Sequence, residues 1–424
     1  MKKIIFIFIV FFLALLGFNY YYSNIVKDEF NSVLKYLDSR DDIRVSNIVY
    51  DKSFLNSKSF FDLAIDNSMK EEIVFHISSD INTNFLMFLL NANNKILKSN
   101  IVLEGEKNIE IATVLIKAGL FSDYKTEVNF KNFDDGIFFT KDIFINLTLN
   151  KKYEIKDLKL DVGMFNFKQN DIYLKLDKFS YDLKYNSPVP YYDIFTKIYP
   201  VKTNISQNSL DFGYMQNYIK IGKTTYKSQV KIDDNKLFYS DDMLKIDKIA
   251  VNDFYFNTIS INNNINHINS TALNKILEII SKYDTKKYDT GLVNKLDLVA
   301  DILENNPKYH LNFEAKNGEK NKIHADLNLE FNGFKKKNNF NYGLDNKNIL
   351  NSLNLNADIK FTPTFSDFLS QLPELGIFEP MLITGGVLKQ NNDNMSILVR
   401  FDKDKKDLII NDKVLLNKVI GYKK

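Results

Sequence analysis

From Ile43 towards the carboxyl end, apolar and polar residues alternate with a period of two, and half-buried β-strand is the local structure that buries such a pattern. Ile48 and Tyr50, then Phe61, Leu63 and Ile65, then Ile73, Phe75 and Ile77 each take every second position. Successive strand side chains point to opposite faces, so each run offers one apolar face and one wet face. Ile172, Leu174 and Leu176 continue the pattern, and Phe179, Tyr181, Leu183 and Tyr185 resume it after a phase slip. A second ladder covers Tyr214 to Phe256, with Asp233-Asp234-Asn235 as the expected hairpin tip. Leu311, Phe313 and Ala315 share parity with Ile323, Ala325, Leu327, Leu329 and Phe331. A three-residue turn at Lys316-Asn317-Gly318 sets odd opposite odd and places His310 across from His324. Leu353, Leu355, Ala357, Ile359 and Phe361 repeat the device, and the C-terminal segment returns to hairpins.

Helical spacing interrupts this in a few places. Ile25 to Leu37 (Ile25, Val26, Phe30, Val33, Leu34, Leu37) predicts a short amphipathic helix, and Asn82–Leu90 and Ile109–Phe121 are further short candidates. Pro188 and Pro190 break the long ladder, and Tyr191–Tyr199 reads as a poor helix or a loop. Thr271–Tyr283 places Leu273, Ile276, Leu277 and Ile280 on one stripe, with Asn269 or Ser270 as cap. Leu292–Leu303 repeats it with Leu292, Leu296, Val299 and Leu303, after a polar link from Asp284 to Thr290. Helices this short need an apolar surface to lie on, and the flanking sheet supplies one. Phe365–Leu372 predicts one or two helical turns. The expected class is α+β, mainly antiparallel β: an elongated curved sheet with a few covering helices.

Ahead of all this runs Ile4 to Phe18, apolar without interruption, after Met1-Lys2-Lys3. Extended to Tyr22 and at ~1.5 Å rise per residue, it makes a helix close to the ~30 Å hydrocarbon core of a bilayer. Ile4, Phe8, Phe11, Leu15 and Phe18 would face lipid, and Tyr20 and Tyr22 would sit at headgroup depth as an aromatic belt. Lys2 and Lys3 predict a cytoplasmic N-terminus with the rest outside. Ala14 and Gly17 fit a signal-peptidase site badly, so the expectation is a retained anchor over residues 1–24 and an extracytoplasmic β-rich body over 25–424. A sub-boundary is expected near 187–205 and a helical insertion at 268–306.

Composition removes several functions. The net charge of +3 and three arginines (Arg40, Arg44, Arg400) provide no basic field for nucleic acid. With no cysteine there is no disulfide framework and no thiolate metal site. With no tryptophan and 35 phenylalanines, Phe is the main bulky filler.

Reactive motifs are weak. Gly222-Lys223-Thr224 resembles the end of a phosphate loop, but Gly213 is too far upstream and no helix follows. Asp402, Asp404 and Asp407 lack the glycine and glutamate of a calcium loop. His76 and His267 have no obvious partners, and the doublets Asp41-Asp42, Asp134-Asp135 and Asp241-Asp242 read as solvated turns. No catalytic constellation assembles, so neither enzyme activity, cofactor nor metal is expected.

The C-terminus carries a resemblance. Gly385-Gly386-Val387-Leu388, then Met395-Ser396-Ile397-Leu398-Val399-Arg400-Phe401, then Asp407-Leu408-Ile409-Ile410-Asn411-Asp412-Lys413 run as glycine, strand, turn, strand, turn. This resembles the end of the YdgA-like family of bacterial envelope proteins, as do the N-terminal anchor and the helix start Asn269-Ser270-Thr271-Ala272-Leu273. Asp412 stands where that family has glycine. The resemblance implies an inner-membrane-anchored periplasmic protein with no established activity. A weaker likeness to AsmA-like envelope proteins implies lipid traffic on curved sheets. The expected function is therefore non-enzymatic: binding of lipid or another apolar ligand on a concave sheet face, or alternatively scaffolding of other envelope proteins.

Overall fold

The computed structural model describes residues 2–40, 43–66, 72–90, 94–105, 108–194, 196–252, 254–281, 292–335, 346–368, 376–392, 394–403 and 407–414; the side chains of 2–18, 86, 90, 192, 281, 292–297, 346–348, 413 and 414 are outside that description. The chain is mainly antiparallel β and divides into two compact units, Met1–Asn166 and Phe167–Lys424. The division falls upstream of the 187–205 region.

The first unit opens with α1 (Lys2–Asp38). The amphipathic segment at Ile25–Leu37 is therefore not a separate helix; it continues the helix that contains the apolar stretch. Among the described residues no helix is long and apolar enough to cross a membrane; the side chains of Ile4, Phe8, Phe11, Leu15 and Phe18 lie outside that statement. The strands β1 (Ile43–Asp51), β2 (Asn56–Asp66), β3 (Glu72–Asn82), β4 (Lys95–Leu103), β5 (Ile109–Lys117) and β6 (Tyr124–Phe130) form an antiparallel meander. β7 (Phe133–Asp134) and β6 both pair with β8 (Phe138–Leu149), and β9 (Ile155–Gln169) carries the chain onward.

Register places Val45, Leu63 and Phe75 in one row and Ile77, Ile101 and Ala112 in another, all on one face. α1 packs against this face: the Phe30 ring lies 5.3 Å from that of Tyr50 and 5.9 Å from that of Phe61, and Leu34 is buried. The helix expected at Ile109–Phe121 is instead β5 and its turn. A bulge opposite Ile101/Val102 shifts the phase between Ile109 and Ala112, and that shift gives the apolar residues a helix-like spacing. The candidate at Asn82–Leu90 narrows to α2 (Phe85–Leu90), because the Asn84 side chain accepts the Met87 N–H and caps it there.

The second unit is a longer meander. β10 (Ile172–Val189) pairs through its first half with β12 (Ser209–Tyr214) and through its second with β11 (Val201–Gln207). The change of partner falls at Lys178, whose φ of 48° kinks the strand and is the physical form of the phase slip. β13 (Asn217–Ile221) and β14 (Thr224–Ile232) follow, then β15 (Leu237–Ile246), β16 (Ile249–Val251), β17 (Phe254–Phe256) and β18 (Thr258–Asn269). Asp233-Asp234-Asn235 is a hairpin tip, with the Asp233 carboxylate accepting the Leu237 N–H. Tyr191–Asp193 is a single 3-10 turn.

α3 (Ser270–Ser281) and α4 (Leu292–Leu303) occupy the expected insertion, and the Asn269 side chain caps α3 through the Ala272 N–H. β19 (Lys308–Asn317) and β20 (Asn321–Phe331) then pair, followed by α5 (Asn346–Ser352) and β21 (Leu353–Thr362). α6 (Phe365–Phe368) and α7 (Glu379–Thr384) precede β22 (Lys389–Asn391), β23 (Asn394–Asp402), β24 (Asp407–Ile410) and β25 (Lys413–Val414). Gly222-Lys223 is the break between β13 and β14, with the Gly222 N–H bonded to the Lys248 carbonyl. The final turn has positive φ at both Asn411 and Asp412, and Asp412 meets Arg400 at 3.1 Å.

Candidate functional site

Directly opposed residues of an antiparallel pair project from the same face, so register alone assembles the rows of the second unit's apolar face. One row reads Ile205, Tyr226, Leu244, Ile261, Phe313, Ala325, Ile359 and Ile397. The next reads Thr203, Ser228, Asp242, Asn263, Leu311, Leu327, Ala357 and Val399. The first half of that second row is polar and the second half apolar, on a single continuous face.

The two ends of the apolar half are capped. At one end Ala315, Phe361, Phe368, Leu388 and Met395 form a fully buried cluster, roofed by α6 and α7 through Phe365, Leu382 and Ile383. At the other, Ala300 and Leu303 of α4 bury Phe334, with Phe331 and Ile349 beside it. Between the caps Leu311, Leu327, Ala357 and Val399 are only half-buried. A fully packed interior would leave such residues nearly inaccessible.

The polar half is a bonded cluster. The Tyr226 hydroxyl donates to Asp242 Oδ1 at 3.2 Å, the Ser240 hydroxyl lies 3.1 Å from both carboxylate oxygens, and Asn263 Nδ2 donates to Oδ2 at 3.1 Å. Burial pushes the Tyr226 hydroxyl pKa up; Ser228 opposes the shift and the Asp242 carboxylate adds to it. Asn263 Oδ1 is buried without a hydrogen-bond partner. Rotating that amide would turn its oxygen towards the carboxylate, so the network itself fixes the free acceptor. The arrangement places one charge and one free acceptor beside half-covered aliphatic rows.

Several sequence expectations resolve here. Leu273, Ile276 and Leu277 of α3 are half-buried, Ala272 is fully buried, and Ile280 is 63% exposed. On α4 Leu303 is buried and Val299 half-buried; the Leu296 side chain lies outside the described residues. Tyr22 stacks on Phe88 at 5.1 Å, so it packs into the first unit and does not face outward; Tyr20 is exposed.

Asp241-Asp242 is not a turn but the middle of β15, where alternation sends Asp241 to the wet face and Asp242 to the apolar one. His310 does not oppose His324. The turn is formed by residues 318–320, so His310 opposes Asn328 and meets Asp326 at 2.9 Å, while His324 opposes Glu314. His76 has a partner after all: its Nδ1 lies 2.7 Å from Asp62 Oδ1, and Asn47 donates to the other oxygen. Burial alone would raise Asp62, but those two hydrogen bonds outweigh it and hold its carboxyl below the ordinary range. Among the described residues no three His, Asp or Glu side chains gather as a metal cluster. Asp402 and Asp407 face each other across a hairpin whose tip, Asp404 included, lies outside the described residues, as does Asp41-Asp42. No family model, no curated protein and no solved structure matches this chain.

Proposed function

We propose that this chain is a non-enzymatic, inner-membrane-anchored periplasmic protein of the bacterial envelope that holds lipid or another apolar ligand on the apolar face of its second unit. The observation that carries the reading is the half-buried run Leu311, Leu327, Ala357 and Val399 between two helical caps. Aliphatic surface left half-wet inside a folded unit is stabilised when an apolar chain covers it, at roughly 25 cal/mol per Å². The adjoining Asp242–Asn263 cluster supplies polar groups at one side of that run, a combination that suits an amphipathic molecule. The anchor belongs to the same proposal, supported by the length of the uninterrupted apolar stretch. So does the likeness to YdgA-like proteins, carried by the C-terminal hairpins.

The test is to purify the full chain from membranes in mild detergent and extract it for mass spectrometry, beside a Leu327→Glu variant. A lipid retained by the native chain and lost from the variant is the expected result. A clean extract accompanied by a stoichiometric protein would replace this reading with a scaffold.

A further inference from the structure

Four connections of the first unit meet at one end of its strands, and hydrogen bonds between them show that they form one surface. The Thr83 N–H donates to the Leu55 carbonyl at 2.7 Å, the Leu120 N–H to the Phe88 carbonyl at 2.9 Å, and Lys151 Nζ to the Gly119 carbonyl at 2.5 Å. α1 passes through the same place: the buried Asn19 side chain bonds the Phe54 carbonyl with its amide and the Phe85 N–H with its oxygen.

This end presents large apolar side chains to solvent. Phe121 is 89% exposed, Tyr20 and Tyr21 are 60% and 65% exposed, and Phe54, Leu55 and Met87 are exposed beside them. Folding gains nothing from leaving such residues at loop tips, and contiguous apolar exposure marks a surface that meets something. The neighbouring cations are arranged over rings: Lys52 Nζ is 4.2 Å from the Tyr20 centroid and Lys151 Nζ 4.6 Å from that of Tyr124. The opposite end of the same strands carries Glu72, Glu104, Glu110, Asp134 and Asp135, with Arg44 beside Glu72 and Lys131 beside Glu110, and the apolar side chains exposed there, Ile73, Ile109, Ile137 and Phe138, are interspersed with those carboxylates.

We infer that the end bearing Phe54, Met87 and Phe121 is seated in the headgroup layer of a lipid bilayer, with its aromatic and aliphatic tips inserted and Lys52 and Lys151 at phosphate depth. The occupant follows from covalent continuity: the surface surrounds α1 at Asn19, immediately after the apolar run Ile4–Phe18. Exposed rings interleaved with lysines are the composition of a membrane interface, and the acidic far end would be repelled by anionic lipid. The inference rests on the proposed anchor and adds to it a second membrane contact.

The chain has no cysteine, so single labels report position without background. Full-length Phe121→Cys, Met87→Cys, Asp135→Cys and Phe8→Cys chains are labelled with an environment-sensitive fluorophore and reconstituted in phosphatidylethanolamine–phosphatidylglycerol vesicles containing headgroup-depth nitroxide lipids. Phe121, Met87 and Asp135 are exposed, so their replacement leaves the core intact. Quenching several-fold stronger at 121 and 87 than at 135 is the expected result. Equal, weak quenching at all three with a quenched label at 8 overturns the seating and leaves the anchor standing. A label at 121 that lipid does not quench but that is shielded from aqueous iodide overturns it in favour of a protein partner. An unquenched label at 8 removes the anchor, and the inference with it.

Discussion

The two units cover their apolar sheet faces in different ways. In the first, one long helix lies against the face, and Phe30 and Leu34 reach the strands from an element that continues into the apolar N-terminal stretch. In the second, short helices inserted between strands close the ends of the face and leave its middle half-covered. Half-buried aliphatic rows remain in both, Leu63 and Ile101 in the first unit as Leu327 and Val399 in the second, so the difference lies in where the buried contacts gather: along one helix in the first and at two separated ends in the second.

The sharpest way to break the comparison is to truncate one residue of each kind in the second unit. Phe361→Ala removes a ring from a fully buried cluster and should cost about 3–5 kcal/mol. Leu327→Ala, between the caps, should cost less than half of that. Urea unfolding of both variants reads the difference, and equal costs would mean that the run between the caps is ordinary core. In the first unit, Leu34→Ala should cost about 2–4 kcal/mol, because a nearly inaccessible leucine is lost from the helix–sheet contact. Faster hydrogen exchange across β1 to β3, with the second unit unchanged, would localise that loss.

The polar belt sharpens the comparison further. Asp242→Ala strips the partner from Tyr226, Ser240 and Asn263 together and should destabilise by about 1–3 kcal/mol, since buried polar groups without partners are costly. Replacing Asp242→Leu together with Asn263→Leu extends the aliphatic rows and should recover part of that loss, with the Ser240 and Tyr226 hydroxyls still deprived of the carboxylate. Thermal denaturation separates the two outcomes. A double variant worse than the single would show that the belt holds the strands in register.

Much of the scaffold was legible because alternation is a local property. The runs at Phe61–Ile65, Leu311–Ala315 and Leu353–Phe361 fold as strands, and the α3–α4 insertion lies where its stripes predict. What escaped depends on pairing. The bulge beside Ala112 disguised a strand as a helix, and a shift of the turn from 316–318 to 318–320 gave His310 an aspartate neighbour in place of a histidine. The belt had a signal that went unused: Asp242 shares parity with Phe238 and Leu244, so the strand pattern itself placed a carboxylate on the apolar side. That neighbouring strands contribute Tyr226 and Asn263 at the same height is a fact of register, which a single strand does not contain. The aromatic end of the first unit was hidden for the same reason, since Phe54, Met87 and Phe121 are far apart in the chain.

The smallest expected effect concerns the edge where β10 ends, beside the fully buried Val189. There Asp193 accepts Lys197 Nζ at 2.9 Å and the Tyr199 hydroxyl at 2.8 Å. The lysine, more than the tyrosine, holds the Asp193 carboxyl below its ordinary value, against burial that would raise it. A carboxyl depressed in the folded state contributes stability that is fully present above its unfolded pKa, near ~3.9, and that is lost as pH falls through the lower folded value. Because Lys197 is half-exposed and solvent screens the pair, the contribution should be below about 1 kcal/mol. Asp193→Asn should therefore flatten the acid side of the stability curve slightly below about pH 4 and leave it unchanged in slope near neutrality. Superimposable acid limbs would show that the pair contributes nothing there. The segment after β10 would then be held by the buried Val189, the bond from the Ile198 N–H to Asn274 of α3, the bond from the Asn186 N–H to the Pro200 carbonyl and the Tyr185–Tyr199 ring contact, among others.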